Sequence, residues 1–342
     1  MAKSRVLVVG MGGIGTVCAY GLEIGGLAEV TSVMRSNYAA ATEQGIDIQS
    51  VEFGHVRSWK PTHIIKSVPD VSAQEIPPFD FILVATKNVP DILPSVVDAV
   101  SPAVTVGKTT LVLAQNGLNI ERPFIDRFPT NPILSSVVYT GAEERAPAKI
   151  YHTDPDWQKI GPYYSPLVSA KVVEKSAEKF VNILDPKGKR KIFYDADVSG
   201  ARWRKVAYNA SFNSVAAALQ IDTSRLRMSQ HLIDDLVLPI ILEVQAAAVS
   251  CGVTLQSDLV HSVMQQDMAD SFYRPSMMQD VVNRNFMEIE TIVGEPLREG
   301  KRHGIAMPTL SVVYGILRGL QLRIREEKGL WQPEYEPGNP YM

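Results

Sequence analysis

Residues 5–15, RVLVVGMGGIG, constrain this chain more than any other stretch. A short apolar run, Val6, Leu7, Val8 and Val9, ends abruptly at Gly10, Gly12, Gly13 and Gly15, and a helical apolar pattern follows at once. A strand, a glycine turn and a helix start in this order make a cradle for a dinucleotide pyrophosphate. Gly10 permits the tight turn, Gly12 lets the backbone approach the phosphates with no Cβ in the way, and Gly15 lets the helix pack close to the strand. The free N–H groups and positive dipole end of that helix then face the anion. An isolated GxGxxG is a weak signal, because glycine-rich turns also serve purely structural ends. Here the strand and the helix flank it on both sides, and Gly10, Gly12, Gly13, Ile14 and Gly15 become the candidate cofactor loop.

The chain has 342 residues, enough for about two domains of roughly 150 residues each. A net charge of −3 gives no electrostatic case for nucleic acid or an anionic membrane. The two cysteines, Cys18 and Cys251, lack metal-ligand spacing, and each falls in an apolar helical pattern that reads as buried and inert. No apolar run reaches the ~18 residues of a membrane span. With strand one this close to the start, there is no room for a signal peptide, so the expectation is a cytoplasmic enzyme.

A second strand over 29–34 ends in Arg35-Ser36-Asn37. An NAD-preferring site would carry Asp or Glu here for the ribose 2′-hydroxyl. Arg35, with Ser36 and Asn37, instead offers a fork-shaped cation and small donors that suit the 2′-phosphate of NADP, although a solvated arginine would look the same. A helix over 39–45 and a strand over 46–50 follow, and then a turn-rich stretch to Pro78 whose His55, Arg57 and His63 read as loop residues. Buried strands over 79–85 and 109–114 end in Thr86-Lys87-Asn88 and Gln115-Asn116-Gly117. Ligands in open α/β sheets sit outside such carboxyl ends. Lys87 is therefore a cation near cofactor or substrate, or a surface lysine at a helix start. Asn116 orients a nicotinamide or a substrate carbonyl, or only makes a turn.

Between these strands a helix is expected over 91–100, with Pro94 in its first turn. Later come a strand over 132–139, a polar loop or hairpin link over 143–149, a returning strand over 148–152, a short edge strand over 158–162 and a helix over 168–184. The basic run 187–191 reads as a solvated loop near the end of the first domain. The domains predicted are 1–193, a Rossmann-type α/β domain with a mostly parallel sheet, 194–332, an all-helical domain, and a loose tail over 333–342.

In the helical part, residues 201–219 form a largely apolar helix on which Lys205, Asn209 and Asn213 recur at i, i+4 and i+8. At about 100° per residue each step drifts only ~40°, so the three polar side chains share one row. A lysine in such surroundings needs a partner, and desolvation lowers its pKa towards a useful acid–base range, unless the row is simply exposed. A second long helix spans 232–251 with Pro239 kinking it, and another is predicted over 281–293. Ser276 lies just before that helix. Glu288, between Met287 and Ile289, needs a cationic or hydroxylic partner. Glu290, turned by about 200° on a helix, reads as the solvent group.

Taken in order, VGMGGIG, Met34-Arg35, ATKN around Lys87, AQNG around Asn116, WRKVAYNASFN around Lys205, SMMQD from Ser276 and MEIE around Glu288 resemble the ketopantoate reductase (2-dehydropantoate 2-reductase) family over nearly the whole chain. The resemblance implies a Rossmann domain, an all-helical domain, an active site in the cleft between them, and NADPH-dependent reduction of ketopantoate to D-pantoate. It implies that Lys205 is the general acid and that Glu288 works with it on the substrate hydroxyl. Asn209, Asn213 and Ser276 would hold substrate, Asn116 would lie near nicotinamide and substrate, Lys87 at the cofactor entrance, and Arg35 at the 2′-phosphate. It also allows a homodimer. Ser214 and Met287 stand where the family commonly has Pro and Thr, and the 187–191 loop and the Pro-rich tail look like additions. These departures remove no catalytic group, but they leave open another branched 2-oxo acid, such as 2-oxoisovalerate, as substrate. A non-catalytic NADP-binding regulator would explain the glycine turn and Arg35 but not Lys205 and Glu288.

Overall fold

The protein was analysed as a computed structural model, which describes residues 2–335 and 337–341. Its contacts divide the chain into two compact units, Met1–Arg202 and Trp203–Met342.

The first unit opens with β1 (Ser4–Val9), α1 (Gly13–Ile24), β2 (Ala28–Val33), α2 (Tyr38–Gln44), β3 (Ile46–Ser50), β4 (Gly54–Trp59) and β5 (His63–Ile65). It continues with β6 (Phe81–Val84), α3 (Val96–Val100), β7 (Thr110–Leu113), α4 (Arg122–Arg127), β8 (Ile133–Val138), β9 (Gly141–Ala146), β10 (Lys149–Asp154), β11 (Trp157–Tyr163), α5 (Ala170–Leu184) and β12 (Lys191–Tyr194). The main sheet runs β12-β11-β8-β7-β6-β1-β2-β5. From β5 to β8 every pairing is parallel, in the doubly wound order that reverses at β1. β11 then joins antiparallel to β8. Strands buried on both faces need no alternation, and Val6 to Val9, Phe81 to Val84 and Leu111 to Leu113 are accordingly unbroken apolar runs.

Several expectations about this unit need correction. Of the two readings of 143–149, a polar loop or a hairpin link, the structure shows the hairpin, although strand takes up more of it than expected. β9 occupies much of that stretch and returns through Ala148, at φ 59, into β10. With β3 and β4 it completes a small sheet of order β4-β3-β10-β9. His55 and Arg57 lie on β4 and His63 on β5, not in loops. β4 and β9 are exposed or half-buried along most of their length, so they carry polar side chains and no clean apolar alternation. β11 is not an edge strand, because β12 pairs beside it. The third helix starts at Val96, after Pro94, where the Ser95 hydroxyl accepts from the Asp98 N–H as a cap. The 187–191 loop is solvated except at Arg190. That guanidinium is buried 3.5 Å from the Asp156 carboxylate and lies over the Phe53 ring.

The chain then becomes helical. α6 (Val198–Tyr208) begins inside the first unit, where Val198 and Ala201 pack on Val137 of β8. It runs through a π turn (Asn209–Asn213) into α7 (Ser214–Leu219). Next come α8 (Thr223–Met228), α9 (Gln230–Leu232), a second π turn (Ile233–Val237) and α10 (Leu238–Ser250). α11 (Leu259–Met264), α12 (Ser276–Val282), a third π turn (Glu290–Gly294), α13 (Glu295–Arg302) and α14 (Pro308–Glu327) complete the unit. The π turn before α10 sits where Pro239 removes a donor and its ring crowds the preceding turn, so the helix expected over 232–251 changes from π to α just before the proline.

The helix expected over 281–293 is two helices. α12 ends in a Schellman arrangement, in which the Asn285 N–H reaches the Asp280 carbonyl at 2.8 Å and the Arg284 N–H reaches that of Val281 at 3.2 Å. Arg284 takes the left-handed conformation at φ 55, a position usually given to glycine. Residues 285–288 are non-helical, and the next helix starts at Ile289. No helix among the described residues is long and apolar enough to cross a membrane.

Candidate active site

The glycine loop after β1 shows which of its glycines the protein itself requires. Gly10, at φ 99, faces the chain leaving β6, and a Cβ there would lie 2.6 Å from the Thr86 nitrogen. A Cβ on Gly13 would strike the Ala142 carbonyl of β9, and one on Gly15 would strike the Gly10 carbonyl. Gly12 is different: it is exposed, and a Cβ there would meet nothing within 4 Å. Gly12 opens the N-terminus of α1, which has no side-chain cap and no acidic residue in its first turn. An open backbone corner at a positive helix end fits a pyrophosphate.

Arg35 and Ser36 are exposed after the end of β2. Asn37 does not offer its amide alongside them. It is 6% exposed, and its Nδ2 donates to the Met11 carbonyl and to Glu144 Oε1 of β9, both at 3.0 Å. Asn37 thus fastens the glycine loop. Lys87 is exposed and Asn116 half-buried, on the loops leaving β6 and β7. Gln115 ties these loops together, its Nε2 donating to the Thr86 carbonyl at 2.9 Å.

Arg202, which no sequence motif singles out, holds the Asn116 turn from α6. It is 5% exposed. Its guanidinium donates to the Gln115 carbonyl at 3.0 Å, the Gly117 carbonyl at 2.9 Å and the Ser135 hydroxyl at 2.7 Å. Its Nε also lies 3.0 Å from the carboxylate of Glu121, which is fully buried. The acceptors on both sides of Asn116 therefore belong to one guanidinium. In the sequence it is one of three cations in 202–205, and nothing there marks it as the buried one.

In the second unit Lys205 is half-buried, Asn209 is 7% exposed and Asn213 is 2% exposed. The row is not a solvated face. Its alignment arises differently from a uniform α-helix, because Asn209 to Asn213 is a π turn. An i to i+4 step overshoots one revolution of an α-helix and falls short of one in the wider π turn, so the two drifts oppose each other. Asn213 grips the start of α12: its Nδ2 donates to Ser276 Oγ at 3.2 Å, and its Oδ1 accepts the Met277 N–H at 2.9 Å. Asn213 and Ser276 are thereby brought together.

Glu288 is 5% exposed just before the helix that starts at Ile289, and its carbonyl accepts the Ile292 N–H at 3.1 Å. Its place is set by Gln321 of α14, whose Oε1 accepts the Met287 N–H at 2.8 Å and whose Nε2 donates to the Met287 carbonyl at 3.4 Å. Gln321 was findable, since it interrupts the buried stripe Leu310, Val313, Leu317 and Ile324. Glu290 is not the expected solvent group. It accepts from Tyr314 at 2.7 Å and from Arg298 at 2.8 Å.

A doubly wound sheet with an open glycine corner, followed by a helical unit bearing a half-buried lysine beside buried amides, defines an oxidoreductase that uses a nicotinamide cofactor. The chain belongs to the ketopantoate reductase PanE/ApbA family, whose N-terminal model matches residues 6–165 and whose C-terminal model matches residues 197–321. It is 30% identical to the uncharacterized protein YDL144C of Saccharomyces cerevisiae, over 96% of each chain. It is also similar to the crystal structure of 2-dehydropantoate 2-reductase from Methylococcus capsulatus, with 28% identity, a TM-score of 0.79, and coverage of 94% of this chain and 97% of that one. A ternary structure of D-mandelate dehydrogenase with NADH and anilino(oxo)acetate shares the fold at 18% identity and a TM-score of 0.79, covering 94% of this chain and 99% of that one.

Proposed function

We propose that this protein reduces ketopantoate to D-pantoate with NADPH, using Lys205 as the general acid. The observation that carries the reading is the row of half-buried Lys205 and buried Asn209 and Asn213, in the same unit as a buried carboxylate at Glu288. Asn213 also holds the start of α12, but a lysine withdrawn from solvent in the same row needs a polar partner that packing alone does not require.

Gly10, Gly12, Gly13, Ile14 and Gly15 would hold the pyrophosphate, Arg35 the 2′-phosphate, and Lys87 and Asn116 the nicotinamide end. The bound nicotinamide supplies the hydride that reduces the carbonyl carbon. Lys205, as an ammonium, gives its Nζ proton to the carbonyl oxygen, is left neutral, and is reprotonated from solvent. Positioned proton transfer of this type contributes about 10²–10⁴-fold. Asn209, Asn213 and Ser276 orient the substrate's carboxylate and hydroxyl, and Glu288 accepts from that hydroxyl. The cytoplasm is the proposed compartment and a homodimer the proposed assembly.

The runner-up is reduction of another branched 2-oxo acid, favoured by Ser214 and Met287 at positions where the family commonly has other residues. Loss of NADPH absorbance with a panel of 2-oxo acids separates the two. The proposal expects ketopantoate to give the highest kcat/KM. Turnover of 2-oxoisovalerate with none of ketopantoate would transfer the assignment to the runner-up, and no turnover of any 2-oxo acid would leave a regulator.

A further inference from the structure

Within the second unit two helix C-termini bring together three metal-binding side chains, none of which has a part in the proposed reaction. Cys251 caps α10, His303 caps α13, and Glu299 lies one turn before His303. Their ligand atoms all lie within 4.8 Å of one another. Cys251 Sγ is 3.9 Å from Glu299 Oε2 and 3.7 Å from His303 Nδ1. Metal–sulfur bonds of about 2.3 Å and metal–nitrogen or metal–oxygen bonds of about 2.0–2.2 Å at a tetrahedral angle place ligand atoms about 3.4–3.6 Å apart. The two distances to the sulfur are within about 0.5 Å of that spacing.

The surroundings favour a cation. Both helices turn their negative dipole ends towards the triad. Glu299 is 4% exposed, and Arg302 holds its Oε1 at 2.6 Å while Oε2 faces the sulfur, which orients the carboxylate as an outer partner would. His303 Nδ1, the ring nitrogen nearest the sulfur, lies 3.0 Å from the Glu299 carbonyl, and the Nε2–H tautomer would leave the Nδ1 lone pair to a metal. Cys251 is half-buried, not the fully buried residue that its apolar sequence context implies, so the thiol is reachable.

We propose that Cys251, Glu299 and His303 form a Zn²⁺ site that ties the end of α10 to the end of α13. Thiolate, imidazole and carboxylate together are a zinc donor set, and the exposed His303 side leaves the fourth position to water. Binding releases the thiol proton.

The test uses the full-length protein, stripped with chelator and titrated first with Co²⁺ and then with Zn²⁺. The expected result is one equivalent of Co²⁺ with a thiolate-to-cobalt charge-transfer band that Zn²⁺ bleaches. The chain has only one other cysteine, Cys18, whose thiol is pushed up to about 12, chiefly by complete burial, so the band reports on Cys251. Cys251→Ser abolishes the band, and His303→Ala, at an exposed position, weakens Co²⁺ binding about tenfold or more. Should Cys251→Ser fail to fold, His303→Ala decides alone. Absence of the band in the wild-type protein, or unchanged binding in His303→Ala, overturns the site.

Discussion

At the scale of single residues, the account rests on groups whose burial forces them to have a purpose. Arg202 and Glu121 form a buried pair whose guanidinium also carries the backbone on both sides of Asn116. Arg202→Met strands a buried carboxylate, which costs about 3–5 kcal/mol. Adding Glu121→Gln recovers much of that in urea unfolding, but kcat stays depressed, because the carbonyls on both sides of Asn116 still lack their guanidinium donor. Full recovery of kcat in the double variant would reduce Arg202 to a structural role. Arg35 is argued from charge alone. Arg35→Ala is expected to raise the KM for NADPH about tenfold or more, as loss of a charge-assisted phosphate contact does, and to leave that for NADH unchanged. Equal effects on both cofactors would remove Arg35 from the 2′-phosphate.

At the scale of elements, the structure separates glycines that the fold itself requires from Gly12, which it does not. Gly15→Ala drives a methyl into the Gly10 carbonyl and should lower thermal stability with no cofactor present. Gly12→Ala meets open space. Its melting temperature should stay near that of the parent while dinucleotide affinity falls, and a calorimetric titration that found unchanged affinity would contradict the cradle. Asp267 makes a second prediction. Burial pushes its carboxyl up, but Arg227, Thr223 and Tyr208 more than offset this and hold it below the usual range. Since the folded pKa is the lower one, the unfolded chain binds more protons between the two values, and stability rises with pH there. The contribution is complete above the unfolded value of about 3.9 and disappears as the pH falls through the folded value. A melting-temperature profile over acid pH should therefore be flatter for Asp267→Asn than for the wild type.

The elements also show why some of this was legible in the sequence and some not. β1, β6 and β7 announced themselves as apolar runs because they are buried on both faces. β4 and β9 did not, because exposed strands of a small sheet have little apolar pattern to show. The end of α12 was hidden because Arg284 occupies a left-handed position that normally betrays itself as glycine. Lys205, Asn209 and Asn213 were visible through helical spacing, whereas the π turn that realigns them leaves no mark in composition. Asn37 had the right residue type for an anion, but its amide is taken by the Met11 carbonyl and by Glu144 of a hairpin more than a hundred residues away.

At the scale of the whole molecule, the family assignment rests on matches spread along both units, and the proposed chemistry draws on both. The glycine loop and Arg35 belong to the first unit, while Lys205, Asn209, Asn213, Ser276 and Glu288 belong to the second. Binding of the dinucleotide to the folded state alone would stabilise it by about 2.7 kcal/mol at a hundred times Kd, so melting in the presence of NADPH reports the first unit's role without any turnover. The second unit's role needs the reaction itself. The most direct measurement is the single-turnover rate of ketopantoate reduction by Lys205→Ala at saturating NADPH, with cofactor affinity determined on the same sample. The expected rate is lower by about 10²–10⁴-fold, with the NADPH Kd unchanged. A rate near that of the wild-type enzyme would show that the proton comes from elsewhere and would contradict the central claim.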